Sequence, residues 1–193
     1  NNGPAATTLN YEIDTLAPTV DNFTMSDTEL KIGDTATVTL TFSEAVTGFS
    51  NADITIASLD NGTSTGALST MTSTDNESWT GTFTPAINAE DDNNTLSLGT
   101  GYTDLAGNNG PDNRTANFEI DTLAPTVSSV AITGAAGIQN SFVNAGDNVS
   151  VTVTFSEAVN VDNSSGNPML TLAVGSDNRT STYASGDNST ALV

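Results

Sequence analysis

Short segments of alternating apolar and polar residues run along most of the chain. The alternation is clearest in residues 35–42, where every second residue from Ala36 to Phe42 is apolar and threonines lie between them. A period of two places the apolar residues on one face of a strand, so this segment predicts a half-buried strand. The pattern returns in residues 149–155. No window has the period of a helix, and abundant Thr, Ser, Asn and Gly disfavour one, so the pattern predicts an all-β chain.

Further strands are predicted wherever a similar segment is bounded by Gly, Pro, Asn or Asp. With residues 35–42 they make seven in the first part of the chain. The other six are 20–25, 53–57, 66–73, 78–84, 95–102 and 115–120. Seven short strands within about 100 residues are typical of an antiparallel sandwich of two sheets with the immunoglobulin-like architecture.

Two sequence blocks occur twice. Asn10–Val20 returns as Asn117–Val127, a spacing of 107 residues, and Val38–Val46 returns as Val151–Val159, a spacing of 113 residues. A repeat of this length predicts tandem β-sandwich domains. We expect the last strand of a preceding domain in residues 1–13, a complete domain in 14–120, and a second domain in 121–193 that lacks its final strands.

The charge balance narrows the choice of partners. The chain has 23 acidic residues against Lys31, Arg114 and Arg179, and its formal net charge is −20. Nucleic acids and anionic membrane surfaces are poor partners for such a chain, because binding to them depends on Lys and Arg. Multivalent cations are the expected partners. No run approaches the roughly 20 apolar residues of a membrane span, so no membrane insertion is expected in this segment.

The absence of cysteine and histidine restricts the chemistry further. Without them there is no Ser-His-Asp triad, no thiolate nucleophile and no zinc site of the cysteine type. Paired carboxylates in a cleft would be needed for catalysis, and loops of a small sandwich do not predict a cleft. We therefore expect a protein that is not an enzyme. The remaining metal ligands are carboxylate and carbonyl oxygens, which suit Ca²⁺.

Three carboxylates are expected to meet at one end of the complete domain. Asp14 precedes the first strand, Glu44 follows the second, and Asp104 follows the penultimate one, and in a seven-stranded sandwich these positions lie at the same pole. A cluster of three carboxylates is disfavoured without a cation. Ca²⁺ accepts six to eight oxygens, so Asn108 and loop carbonyls are expected to complete the shell. Because Asp14 belongs to the linker, the metal would stiffen the array.

The same construction is predicted at the next junction, with Asp121 and Glu157. The alternative interpretation is that the two linker aspartates cap turns, both glutamates are solvated, and Asp104 stabilises an Asx-turn. The acidic residues 90–92 and the pair Asp27 and Glu29 are expected in loops at the opposite pole. These loops either add metal ligands from the upstream side or are simply solvated, and we favour solvated loops.

Four motifs together carry a family resemblance: Asp-Thr-Leu-Ala-Pro-Thr-Val, Val-Thr-Leu-Thr-Phe-Ser-Glu-Ala-Val, residues 78–85 and residues 103–108. In this order they resemble the bacterial Ig-like repeats of giant secreted adhesins. The resemblance implies an extracellular location on the bacterial cell surface, neighbouring Ig-like domains as partners, and calcium at domain junctions, with Asp14, Glu44, Asp104 and Asn108 at the matching positions. It further implies a stalk of an adhesin for attachment or biofilm formation, in which other regions contact glycans.

Other functions remain open at this stage. The incomplete second domain suggests a subunit of an extracellular fibre or sheath in which a strand from another chain closes the sandwich. Loops at the pole of a sandwich also suit a module that binds carbohydrate or another ligand. Trp79 and Phe83 are interpreted as core residues and not as a sugar platform. A saline habitat would explain the acidity without calcium.

Overall fold

A computed structural model describes residues 9–59, 66–140 and 142–193. The chain forms two compact units, residues 1–123 and 124–193. Both are built from strands, and the first also contains a single turn of 3-10 helix at Asn51–Asp53. Over the described ranges, no helix has the length and apolar character that crossing a bilayer requires.

Eleven strands are present in the described part of the first unit. They are β1 (Val20–Met25), β2 (Glu29–Lys31), β3 (Ala36–Phe42), β4 (Val46–Thr47), β5 (Ile54–Ser58), β6 (Gly66–Leu68), β7 (Ser78–Pro85), β8 (Glu90–Leu98), β9 (Thr103–Asp104), β10 (Asn113–Arg114) and β11 (Phe118–Asp121). One sheet has the order β1-β3-β7-β6. A second has the order β10-β8-β11-β2 with β5 also paired to β8, and β4 and β9 form a separate two-stranded ladder.

The two larger sheets enclose one core, as the alternation predicts. Val38, Leu40 and Phe42 of β3 are all fully buried, while the threonines between them lie on the other face. Phe83 of β7 meets Phe118 of β11 edge to face, with ring centroids 5.1 Å apart. Burial of each such side chain contributes about 2 kcal/mol to folding, so this core holds the two sheets together. The chain therefore has the all-β, Ig-like sandwich fold that the strand pattern predicts. Trp79 is half-buried and packs against Phe49, with the ring centroids 4.8 Å apart.

One expectation about the strands was wrong. Residues 90–92 are not a solvated loop, because β8 begins at Glu90 and pairs there with β11, and Asp91 is buried. Among the described residues the strand pairs are antiparallel, as predicted, except that β11 runs parallel to β2. Glu29 therefore lies in a strand beside Glu119, whereas Asp27 stays in the preceding turn and accepts a hydrogen bond from the Glu29 N–H at 3.0 Å.

The second unit has fewer strands over its described residues. They are β12 (Val127–Ala136), β13 (Asn148–Val159), β14 (Thr171–Val174), β15 (Asp177–Thr180) and β16 (Ser189–Leu192). β12, β13 and β16 form one sheet, which repeats the order of β1, β3 and β7, and β14 pairs with β15. Val153 and Phe155 are only half-buried, although their counterparts Leu40 and Phe42 are fully buried.

The predicted last strand of a preceding domain falls on residues 1–13, of which 1–8 lie outside the described residues. Residues 9–13 form no strand, and Tyr11 and Ile13 are exposed. In the first unit the last strand is β11, which lies between β8 and β2. Residues 9–13 therefore do not serve as the last strand of the first unit.

Candidate metal centre

A tight turn after β9 orients the most deeply buried carboxylate of the site. Asp104 Oδ1 accepts hydrogen bonds from the backbone N–H groups of Gly107 at 2.7 Å and Asn108 at 2.8 Å. Gly107 has a φ of +95°, a left-handed conformation that favours glycine. The sequence Asp-Leu-Ala-Gly-Asn therefore folds into a turn that fixes the carboxylate of Asp104, which is 1% exposed.

The short β4–β9 ladder brings Glu44 to the same place. Val46 of β4 is directly opposite Asp104 of β9, so the residues just before β4 lie beside the β9 turn. Glu44 is two positions before Val46 and is half-buried. The bend between β3 and β4 therefore positions Glu44 next to Asp104.

The linker is fastened to both of these loops. Asn108 Nδ2 donates to the backbone carbonyls of Asp14 and Leu16, each at 3.3 Å. At the other end of the linker, Thr19 N–H donates to Ser43 Oγ at 2.9 Å, and Ser43 N–H donates to the Thr19 carbonyl at 3.0 Å. Between these contacts Pro18 is fully buried. The linker therefore lies against the β3–β4 bend and the β9 turn.

Asp14, Glu44 and Asp104 converge as a result. Each offers a carboxylate oxygen, and the three oxygens lie within 4.8 Å of one another. The three positions run from exposed Asp14 through half-buried Glu44 to buried Asp104. Elsewhere in the described ranges, no group of three or more acidic side chains meets in this way.

The three carboxylates place negative charges close together without a neighbouring positive charge in the described part of the chain. Partial burial raises the pKa of Glu44, and the negative charges of Asp14 and Asp104 raise it further. Burial also opposes ionisation of Asp104, but hydrogen bonds from Asn108 and Gly107 outweigh it and hold the pKa of Asp104 below its ordinary value. The only ion pair among the described residues joins Arg179 to Asp177 in the second unit. No Lys or Arg among them neutralises the three carboxylates.

The donor set fits a hard cation such as Ca²⁺ better than it fits zinc or copper. All three side chains offer hard oxygen atoms, and neither histidine nor cysteine occurs in the chain to attract zinc or copper. Exposure at Asp14 leaves room for water, which commonly fills the remaining positions around Ca²⁺. Asp14, Glu44 and Asp104 are therefore the residues that would hold such an ion.

The other three predicted ligands are arranged differently. Asn108 lies at the site, but its amide nitrogen, and not its oxygen, makes the contacts described above. Asp121 ends β11 in the first unit and accepts a hydrogen bond from Leu123 N–H at 3.2 Å. Glu157 lies within β13 of the second unit. Their role as metal ligands stays a prediction.

Sequence analysis missed two contributors to the site, Ser43 and the donor role of Asn108. Ser43 had a signal in the sequence, because the Phe-Ser-Glu block returns with Ser156, and both serines make the same contacts with the linker. Thr126 N–H donates to Ser156 Oγ at 2.9 Å, and Ser156 N–H donates to the Thr126 carbonyl at 2.8 Å. The donor role of Asn108 has no sequence signal, since Asn offers both a donor and an acceptor.

Comparison with known proteins identifies the family of the first unit. Residues 14–120 match a family model described as "Bacterial Ig-like domain". Among solved structures, the N-terminal part of the bacterial S-layer protein SbsC is similar over 62% of this chain and 26% of that chain, at 16% sequence identity and a TM-score of 0.34. The chain thus spans about a quarter of the length of that structure. No curated protein matches the chain.

Proposed function

The chain belongs to the bacterial Ig-like domain family, and from this premise we propose that it is a calcium-stiffened spacer of an extracellular adhesin on the bacterial cell surface. Domains of this family are typically structural modules without enzymatic activity. The role of such a spacer is to hold an adhesive region away from the cell, for attachment or biofilm formation. The repeat of 107 residues supports an array of several copies.

The observation that carries this proposal is that the three converging carboxylates come from three different segments of the chain. Asp14 comes from the linker, Glu44 from the β3–β4 bend, and Asp104 from the β9 turn. A cation bound by all three ties the linker to two loops of the domain that follows it. Rotation of the preceding segment about the linker then requires breaking a metal ligand, so the bound form is stiffer.

Binding is coupled to stability by mass action. A ligand that binds only the folded state stabilises it by about 2.7 kcal/mol at 100 times its dissociation constant. Calcium is plentiful outside cells, whereas cytosolic sensors work at much lower concentrations, so a site of modest affinity suffices for a surface protein. The exposed position of Asp14 suits a site of that kind.

The proposal is tested by amide hydrogen exchange of the 193-residue chain at fixed ionic strength, with either CaCl₂ or EGTA. Calcium should slow exchange in residues 14–19 selectively, and Glu44→Gln should abolish the effect. Asp21→Asn is the matched control, because it removes one charge close to the linker but outside the converging group. Equal linker exchange with and without calcium would reject the stiffening mechanism and favour adaptation to a saline habitat.

The second unit supports one other candidate function, a subunit of an extracellular fibre. Its open sheet borders a cavity of about 230 Å³ lined by Val151, Phe155, Leu170 and Tyr183, with Met169 exposed at its edge. In the first unit the equivalent face is covered by β8 and β11. We propose, as the second candidate, that another chain supplies strands in the place of β8 and β11, which cover this face and complete the sandwich by strand complementation.

Light scattering after size-exclusion chromatography separates the two candidates. The fibre candidate predicts association that increases with protein concentration and is reduced by Met169→Glu. A chain that stays monomeric at all concentrations contradicts it and leaves the spacer proposal standing.

A further inference from the structure

Asn108 has a set of contacts that identifies which end of its amide group is in use. Its Nδ2 lies 2.7 Å from Asp104 Oδ2 and 3.3 Å from the carbonyl oxygens of both Asp14 and Leu16. All three partners only accept hydrogen bonds, because one is a carboxylate and two are backbone carbonyls. The opposite orientation would direct the Asn108 oxygen at three other oxygens, so the amide N–H₂ group faces this side.

These contacts join two parts of the chain that are 92 to 94 positions apart in sequence. On one side is the β9 turn, where the Asn108 backbone N–H also donates to Asp104 Oδ1. On the other side is a linker segment already bent by the hydrogen bond from Leu16 N–H to Asp14 Oδ1, at 3.0 Å. A single side chain therefore fixes the linker backbone and one of the site carboxylates together.

We propose that Asn108 is a positioning residue that fastens the linker to the β9 turn as a hydrogen-bond donor, and that this contact forms whether or not a cation is bound. The contact, called the latch below, uses the backbone carbonyl of Asp14 and leaves the carboxylate of Asp14 available to the metal. The linker is thus held near its final position before binding. The part of this inference that concerns calcium rests on the function proposed above; the latch itself does not.

The latch predicts an order of events at the junction. Without it, binding of calcium by Asp14 would have to order the linker, and the entropy lost on ordering would reduce the affinity. With it, Asp104 and the linker backbone are positioned in advance, and the cation only has to draw Glu44 and Asp14 together. Asn108 therefore increases calcium affinity without being a ligand.

Replacement of Asn108 by aspartate distinguishes a donor from a ligand. Asn108→Asp keeps the shape of the side chain and adds an oxygen ligand, but at neutral pH it has no hydrogen to donate and it repels Asp104. Asn109→Asp is the matched control, because Asn109 is the next residue, is exposed, and receives the same change of charge. Asn108→Ala removes both the donor and the oxygen.

The experiment measures amide exchange of the 193-residue chain in EGTA, at Leu16 and Thr19 in the linker and at β3 in the core. Asn108→Asp and Asn108→Ala should speed exchange in the linker about tenfold, as loss of one hydrogen bond shared between the two linker carbonyls predicts, and leave β3 unchanged. Asn109→Asp should change neither. Unchanged linker exchange in Asn108→Asp, or an equal rise in β3, would overturn the latch.

A calcium titration then separates the latch from the metal site. The latch predicts weaker binding in both Asn108 variants, whereas a ligand role predicts equal or tighter binding in Asn108→Asp and would overturn the donor role. If the unsubstituted chain binds no calcium, the proposed function fails, and the exchange measured in EGTA still decides whether the latch exists.

Discussion

Thr19 and Ser43 hold each other through two hydrogen bonds, one from Thr19 N–H to Ser43 Oγ at 2.9 Å and one from Ser43 N–H to the Thr19 carbonyl at 3.0 Å. Thr126 and Ser156 make the same pair of contacts in the second unit, at 2.9 and 2.8 Å. Both pairs join an Ala-Pro-Thr-Val linker to a Phe-Ser-Glu-Ala-Val segment. Each of the two repeated blocks therefore supplies one side of this contact.

Loss of the Ser43 hydroxyl should loosen the linker. Ser43→Ala removes the acceptor for Thr19 N–H, and we expect about 1 kcal/mol of lost stability together with faster amide exchange at Thr19. Ser43→Thr retains the hydroxyl and serves as the control. The same result is expected for Ser156→Ala at Thr126. Unchanged exchange at Thr19 in Ser43→Ala would show that the hydroxyl does not hold the linker.

Glu44→Gln should have opposite effects with and without calcium. Burial and the neighbouring carboxylates raise the pKa of Glu44, so its ionised form is disfavoured in the folded state and the molecule is more stable when it is neutral. In EGTA at neutral pH the substitution should therefore raise the melting temperature. In CaCl₂ it should lower the melting temperature relative to the unsubstituted chain, because a ligand is lost. A shift of the same sign in both buffers contradicts this account.

Asp75 should stabilise the first unit in a defined range of pH. Hydrogen bonds from the backbone N–H groups of Ser78 and Glu77 and from the Ser73 hydroxyl lower its pKa to about 2. Because the pKa is lower in the folded state than in the unfolded state, its stabilisation is complete above about pH 4 and is lost as the pH falls towards 2. Asp75→Asn should therefore reduce stability at pH 7 and have much less effect at pH 2, as measured by urea unfolding followed by Trp79 fluorescence.

Tyr102 should contribute through its hydroxyl as well as its ring. The ring is fully buried beside Phe42, and the hydroxyl donates to the Pro111 carbonyl at 2.8 Å. Tyr102→Phe should cost about 1 kcal/mol at neutral pH, since it removes this hydrogen bond and leaves the packing intact.

The contribution of the Tyr102 hydroxyl should also depend on pH. Burial, together with Asp112 and Asp53, raises the pKa of Tyr102 to about 12, above its unfolded value near 10. The difference in stability between the unsubstituted chain and Tyr102→Phe should therefore be largest below about pH 10 and decline as the pH rises towards 12. A difference that does not change over this range would mean that the hydroxyl is not held as described.

The fold was predictable from the sequence because its core strands follow a simple pattern. β1 has the predicted bounds of residues 20–25, and the alternation in β3 places its apolar residues in the core. β8 was harder to predict, since it begins with three acidic residues. Its buried Asn94 donates to the carbonyls of Asp91 and Phe118, where the pairing of β8 with β11 shifts register. A buried polar residue that bonds to backbone carbonyls at such a shift interrupts the alternation of apolar and polar residues from which strands are predicted.

The candidate site was predictable only in part. The order of strands in a sandwich brings the ends of particular loops to one pole, and this was sufficient to group Asp14, Glu44 and Asp104. It was not sufficient to find β4 and β9, which have two residues each and contain no periodic pattern. The contacts of Asn108 depend on this ladder and on the left-handed Gly107, so they required the three-dimensional structure.

Calorimetric titration of the 193-residue chain with CaCl₂, at fixed ionic strength, tests the central claim most directly. The account predicts saturable binding at the site formed by Asp14, Glu44 and Asp104, with loss of the calcium signal in Glu44→Gln but not in Asp21→Asn. It also predicts weaker binding of Mg²⁺, because Mg²⁺ demands near-ideal octahedral geometry and gives up its water reluctantly. Absence of saturable binding, or an identical isotherm in Glu44→Gln, would contradict it.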